Sequence, residues 1–589
     1  MFAVSAGPSP ASPKQQGIFA QKPMTAVAGA SPETITTTSS ASTLRVIEGE
    51  KRSSIRSHKT PNRAEMFPGA SGYHRRSTMI PLDYEQLLAT TSIANLSPAE
   101  AIEFLGVLVD LAHRERDARG AKHAIALGAE LVIDAWPSVI RASYYYTIAN
   151  AWDDLRKREA ETLPQAWNWT NEAFDRSLLA LRQARNEPDF DGLPRERRCQ
   201  ILTNLGGSLS SIGRSIEALD AWNEALAIDP DFPMALANRA YGLFHYAKGL
   251  YDEGHREAFL HVAHEDFQRA VDRVPYPDAK AYYTRIMQAI ASAFPPGQLE
   301  RPHEFRTFSL GETKEEIAYR TWGLQHRLFL NPINDLVTES VAAADVILTP
   351  SIVVPTGEPP ILEGFFNQLK QEYVAARFLL HEGLHGRAPH YPDRDVPLWN
   401  TLDYPSYGLN LELVKLAYRS LYSLFDKTAY FLNRYLELGI KERRVSFSTL
   451  WYEKEDRKKP LRECFRERMN LPLRGLYWIS RDLDDAQDRQ LTDAALLSTI
   501  RNHLEHKYLK THEPEWIIAK GDPMRTDTLA YSLERRVLEG KAKRMAKLAR
   551  AALLYLTLSI HIEEEERRAR RKGAVLPMRL DLFDDSWKR

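Results

Sequence analysis

Arg501, Asn502 and His506 stand close together in the run Leu491 to Lys510, LTDAALLSTIRNHLEHKYLK. An arginine is always charged, and its planar fork can hold a phosphate through two parallel hydrogen bonds. A histidine titrates near neutrality, so it can take a proton from an attacking hydroxyl or give one to a leaving oxygen. Together the two suit phosphodiester chemistry.

These residues need a helix to position them. Leu496, Leu497, Ile500 and Leu504 recur at helical intervals and mark a buried stripe. At ~100° per residue, Asn502 and His506 lie one above the other, with Arg501 to one side. Asn502 is then placed to orient the imidazole, and Arg501 to reach a phosphate at the rim. One imidazole does not easily act as base and acid at the same atom. Two copies of the helix, meeting across a dimer, would supply the second. The plain alternative is a solvated polar face on an amphipathic helix.

A second set of chemically capable residues is HEGLH: His381, Glu382 and His385. It fits H-E-x-x-H, in which two histidines one turn apart bind zinc and the glutamate activates water. His390 follows His385 by five residues, whereas the metzincin spacing needs six. Glu412 is a more distant candidate for a third ligand. Gly383, Gly386 and Pro389 mark a helix ending here, where histidines are favoured as cations. Zinc is therefore the alternative reading, and no metal or other cofactor is expected. Further along, Arg536, Lys543, Lys547 and Arg550 fall on one helical stripe, which could track an RNA backbone or simply face solvent.

The 589 residues exceed one core, so two to four domains are expected. The formal net charge is zero, so any contact with RNA must use a local basic patch. Cys199 and Cys464 have no metal-like spacing and read as reduced thiols of a cytoplasmic protein. No apolar run approaches the ~20 residues that cross a membrane, and no signal-peptide core follows Met1. Residues 1–80 are rich in Ala, Ser, Thr and Pro and are predicted to be a disordered tail, with Met66 or Met79 as alternative starts.

Residues 82–293 read as paired helices. In the clearest pair, Asn204 to Pro230, the residues Leu205, Gly206, Ala218, Trp222, Ala225 and Pro230 fall where a tetratricopeptide repeat places its small, large and terminating side chains. Ala240, Phe267, Ala270 and Pro275 repeat the pattern. Ala225 to Ala270 spans 45 residues against ~34 for the repeat, which predicts an insertion of about eleven near Lys248 to Glu257. Segments 95–136 and 137–187 look like more degenerate pairs. This TPR-like array is expected to bind a protein or peptide, or else only to brace its neighbour. Residues 294–360 read as a Pro-rich junction with a helix from about Lys314 to Phe329 and a short extended piece. Residues 361–572 carry four long helical patterns, an up-and-down bundle, and 573–589 a tail. The predicted class is all-α.

The R-N-x-x-x-H run resembles the R-x(4–6)-H motif of the HEPN superfamily, where a polar residue, often Asn, follows the Arg. TPR-like helices ahead of such a bundle look most like the LA2681-like HEPN family. The resemblance implies a bundle that dimerises into a composite, metal-independent endoribonuclease site. Arg501 would stabilise charge on the phosphorane-like transition state, His506 would serve as general base or acid, and Asn502 would position the His or the phosphate. It also implies RNA as substrate, a homodimer, and a role in defence or stress with the array as restraint. Three other readings remain: a non-catalytic HEPN-like dimerisation or RNA-binding module, a TPR adaptor, and a zinc peptidase built on HEGLH.

Overall fold

The computed structural model describes residues 2–6, 83–159, 169–386, 389–483, 492–514 and 527–588. The fold is all-α and mostly helical, with five short strands among the described residues. Two compact units emerge: one comprises 83–248 and 256–303, the other 2–6, 249–255 and 304–588.

The first unit is a succession of helices: α1 (Tyr84–Leu88), α2 (Pro98–Glu115), α3 (Ala118–Ala129), α4 (Ser138–Glu159), α5 (Glu172–Asn186), α6 (Arg195–Ser211), α7 (Ser215–Ile228), α8 (Pro233–Gly249), α9 (Glu253–Ala270) and α10 (Pro277–Ser292). The local sequence sets their ends. Before α2, the Glu100 carboxylate accepts from the Ser97 amide at 2.9 Å, and Ser97 Oγ accepts from the Glu100 amide at 3.4 Å. Pro98 occupies the first turn, where its missing N–H costs nothing. The pair α6 and α7 closes on Trp222, which is 1% exposed. Its indole N–H donates to the Thr203 carbonyl at 3.2 Å. Gly206 of α6 and Gly242 of α8 flank the ring: a Cβ would stand 2.4 Å from it at the first and 2.3 Å at the second. The insertion expected near Lys248 to Glu257 is only the short turn between α8 and α9. The extra length is absorbed as helix, α8 having 17 residues and α9 having 18.

The second unit contains α11 (Lys314–Gln325), α12 (Ile333–Leu336), α13 (Ile361–His385), α14 (Leu409–Tyr435), α15 (Glu463–Arg466), α16 (Leu471–Asp482), α17 (Thr492–His506) and α18 (Arg535–Arg570). Helices α13, α14, α16 and α18 pack their apolar faces together, and Leu421, Leu476, Leu553 and Leu556 are fully buried. An 18-residue window of α18 has a mean hydropathy of 1.3, long and apolar enough to cross a membrane by composition, but 83% of it is buried inside the fold. It is the central core helix of this unit.

Of the stretch 294–360, expected as a junction, residues 294–303 belong to the first unit and 304–360 to this second one. Two buried arginines draw it in. Arg550 pairs with Asp335 at 2.6 Å, the two side chains being 2% and 1% exposed, and donates to the carbonyls of Phe329 and Asn331. Arg377 pairs with Asp345 at 2.7 Å and donates to the Leu328 carbonyl at 2.9 Å. Burial by itself would raise the Asp345 carboxyl; the Arg377 guanidinium overrides it and holds that carboxyl below its ordinary value.

The strands β1 (Phe2–Ala6), β2 (Ile352–Val354) and β5 (Leu576–Leu580) form a sheet of order β2-β1-β5, antiparallel at β2 and parallel at β5, with Phe2 opposite both Val354 and Leu576. Both termini, expected as tails, thus contribute a strand. The rest of the predicted disordered tail, 7–80, lies outside the described residues. Strand β3 (Leu509–His512) pairs in parallel with β4 (Tyr531–Glu534).

Candidate active site on α17

Helix α17 ends at His506, three residues before β3 begins. Its stripe is as the sequence suggests: Leu497 and Ile500 are fully buried and Leu504 is 7% exposed, while Leu496 is half-buried. Two side chains of α14 hold the helix from outside. Tyr418 Oη donates to the Leu497 carbonyl at 2.8 Å. Arg419 donates to the Leu504 carbonyl, one of the last-turn acceptors that a helix leaves without an intrahelical partner.

The polar face carries the motif. Arg501 Nη1 donates to Asn502 Oδ1 at 3.1 Å, and the guanidinium carbon lies 5.4 Å from the centre of the Tyr422 ring. Asn502 therefore steadies the arginine, where the sequence suggested that it would orient the imidazole. His506 is exposed and has no hydrogen-bond or ion-pair partner among the described residues. The neighbouring imidazole, His503, is used in packing: Nδ1 meets the Thr499 carbonyl at 2.8 Å and the ring lies 4.9 Å from Tyr531 of β4.

The chain beyond His506 is pinned by a residue that sequence reasoning passed over. Lys510 is 6% exposed and bridges Asp403 at 2.7 Å and Asp527 at 2.8 Å. Burial opposes its charge, but the two carboxylates more than offset this and hold the ammonium above its usual value. The Ser406 amide adds a hydrogen bond to the Thr511 carbonyl at 2.7 Å. An open cleft lined by Trp399, Thr401, Tyr404, Ser406, Tyr407 and Glu513 adjoins this strand, and Trp399 is 92% exposed in it. No periodicity marks Lys510 or Asp403; only β3 brings them together.

The basic stripe of α18 is shorter than the sequence suggested. Arg536 and Lys547 are exposed and Lys543 is half-buried. Arg550 is removed from the stripe, because its guanidinium is buried and bound to Asp335. Spacing placed it on that face correctly; the 324–347 segment covers the face at that turn.

The HEGLH residues close α13. His381, 7% exposed, meets Glu382 at 3.0 Å, and His385 Nδ1 lies 2.9 Å from the His381 carbonyl. The two rings stack with centroids 4.6 Å apart. The further ligands that the sequence offered are engaged elsewhere: Glu412 with Lys415 at 2.8 Å, and His390 in a cap with Asp393. Among the described residues, no group of three or more His, Cys, Asp or Glu side chains is gathered for a metal ion. The cysteines, Cys199 buried and Cys464 exposed, are both free.

The span from β2 into α18 is a HEPN-like domain. Residues 353–563 match the LA2681-like HEPN family. The matched span runs from β2 into α18 and includes Arg501, Asn502 and His506. It does not extend to the helix pairs of the first unit. No curated protein matches the chain, and neither does any solved structure.

Proposed function

We propose that this protein is a metal-independent endoribonuclease whose chemistry lies at the exposed end of α17. The observation that carries the reading is the presence of Arg501, Asn502 and His506 on one buried-backed helix within the HEPN-like span. In the reaction, His506 takes the proton of a ribose 2′-hydroxyl. The 2′-oxygen attacks the adjacent phosphorus, and the bond to the 5′-oxygen breaks. The products are a 2′,3′-cyclic phosphate and a 5′-hydroxyl. Arg501, steadied by Asn502, stabilises the added charge on the phosphorane-like transition state. The proton for the leaving 5′-oxygen comes from His506 of a second copy, so the working form is a homodimer. Trp399, in the cleft beside β3, offers a face on which an unpaired base stacks. The paired helices of the first unit act as a TPR-like docking array that restrains the nuclease until a protein or peptide engages it. The setting is cytoplasmic, in defence or stress.

A second reading, a non-catalytic HEPN-like RNA-binding or dimerisation module, is favoured by one observation. No group among the described residues orients His506, whereas a working base is generally held by a third residue. Cleavage of a mixed cellular RNA pool by purified protein in EDTA separates the two. The expected result is cleavage by wild type, with His506→Ala and Arg501→Ala each slowed roughly 10²–10⁴-fold. Equal rates in all three proteins would sink the nuclease reading.

A further inference from the structure

Aromatic side chains stand exposed on the loop between α13 and α14: Tyr391, Trp399 and Tyr407 all face solvent. The loop that carries them is nevertheless fixed at two places. At its base, the Asp393 carboxylate accepts from the His390 amide at 3.1 Å and from the Leu409 amide at 2.8 Å, which ties the two ends together. Further along, Lys510 of β3 clamps Asp403 at 2.7 Å, and the Ser406 amide donates to the Thr511 carbonyl. Rings presented on a loop pinned in this way lose little freedom when a flat ligand covers them.

The cleft between this loop and the end of β3 has a volume of about 360 Å³ and sets Trp399 and Tyr407 beside one carboxylate, Glu513. The hydrogen bonds of that carboxylate fall on Oε1, from Arg535 Nη1 at 3.1 Å and from Ser406 Oγ at 3.5 Å. Oε2 accepts from no group among the described residues, and the side chain is 39% exposed. Arg535, which also bonds Glu539, already stands against the Glu513 charge. A bound cation would need ring faces closed around it, whereas Trp399 projects and offers one open face. The free oxygen therefore suits a neutral N–H donor on a flat ring. The cleft also adjoins the end of α17. Lys510 Nζ, 2.7 Å from Asp403, lies 5.4 Å from the centre of the Tyr508 ring. Tyr508 follows His506 by two residues, and Asp403 stands between the lining residues Thr401 and Tyr404.

We propose that this cleft takes a guanine base of single-stranded RNA, with Trp399 stacking on the base and Glu513 accepting from its pairing edge. A carboxylate only accepts. Guanine presents two adjacent donors, N1–H and the 2-amino group, and so matches it. Uracil presents one N–H between two carbonyl oxygens, which the carboxylate repels, and adenine sets its amino group beside a ring nitrogen that also only accepts. The inference rests on the reading that RNA is the ligand of this protein, and it gives the ribonuclease a preference for guanine near the cut.

The test uses the full-length protein with His506→Ala, so that RNA survives the measurement. Labelled oligouridines, unsubstituted or with one central guanine, inosine or adenine, are followed by fluorescence anisotropy. The guanine oligonucleotide should bind roughly fivefold or more tighter than the adenine and unsubstituted ones, with inosine, which lacks the 2-amino group, between them. Adding Trp399→Ala should weaken every oligonucleotide roughly fivefold or more, since stacking is tolerant of sequence. Adding Glu513→Gln should erase the guanine preference. Arg535→Met, which breaks the same ion pair but keeps the carboxylate, should retain it, and this separates recognition by Glu513 from a structural role of the pair. Equal affinity for all four oligonucleotides, a preference that survives Glu513→Gln, or binding unmoved by Trp399→Ala overturns the proposal. So does tetramethylammonium binding that requires Trp399 in a chain without guanine preference, which would assign the aromatic walls to an organic cation. Cleavage by the wild-type chain, assayed on the same oligonucleotides, keeps the two readings apart: guanine-dependent binding without cleavage retains the cleft and removes the nuclease, and cleavage with no base preference in binding does the reverse.

Discussion

Tyr418 donates its hydroxyl hydrogen to the backbone carbonyl of Leu497 over 2.8 Å, tying α14 to the helix that presents Arg501 and His506. The ring is fully buried, and Leu497 is buried beside it. The candidate site is thus held from behind by two side chain–backbone bonds, from Tyr418 and Arg419, and by an apolar stripe.

Tyr418→Phe should remove that bond while leaving the packing. The Leu497 carbonyl retains its helical partner, so no buried group is orphaned. The expected cost is about 1 kcal/mol in urea unfolding. A loss above about 3 kcal/mol would mean that the hydroxyl supports more than this one bond.

Arg550→Met should be far more damaging. It removes the guanidinium that pairs with the buried Asp335 carboxylate, and breaking a buried ion pair from one side typically costs about 3–5 kcal/mol. Arg550→Met/Asp335→Leu should recover most of that loss, because it removes both charges. A double variant as unstable as the single one would show that the carbonyls of Phe329 and Asn331, and not the ion pair, dominate.

Acid should weaken the second unit through Asp345. Its folded pKa lies below the unfolded value, so the folded state binds fewer protons. The stabilisation it contributes is fully present above the unfolded pKa of about 3.9 and is lost as pH falls through the lower folded value. Unfolding free energy measured from pH 6 downward should fall below about pH 4. In Arg377→Met this part of the dependence should shrink, since Asp345 would no longer be held low. An identical acid profile in both proteins would refute the assignment.

In the first unit, Trp222→Ala should cost about 3–5 kcal/mol by emptying the space between α6, α7 and α8. Gly206→Ala should cost about 1–3 kcal/mol for the opposite reason, a methyl group pressed into the indole. Combining Gly206→Ala with Trp222→Leu should cost less than the sum of the two single changes, because the smaller side chain makes room. Strict additivity in a double-mutant cycle would argue against direct packing.

The sequence by itself determined the helical class, the course of α13 and α14 to within a few residues, the end of α18 (its start, expected near Asp527, lies at Arg535 after strand β4), the buried stripe of α17 and the placement of Arg501 and His506 at its polar end. These are local consequences of period and spacing, which a helix imposes on any chain with that pattern. Spacing likewise marked Gly206 and Trp222 as partners. The tertiary structure alone decided which polar groups were consumed by the fold. Arg550 shares a helical stripe with Lys547, yet Arg550 is sealed against Asp335 while Lys547 is exposed. Asn502 could have reached toward either neighbour, and the fold gives it to Arg501. The HEGLH histidines fit a zinc motif when α13 is taken alone; that both rings pack against the buried Trp322 of α11 is settled only in three dimensions. Periodicity tells which side of a helix is wet or dry. Which charges meet there depends on contacts between residues hundreds of positions apart, and no local pattern encodes them.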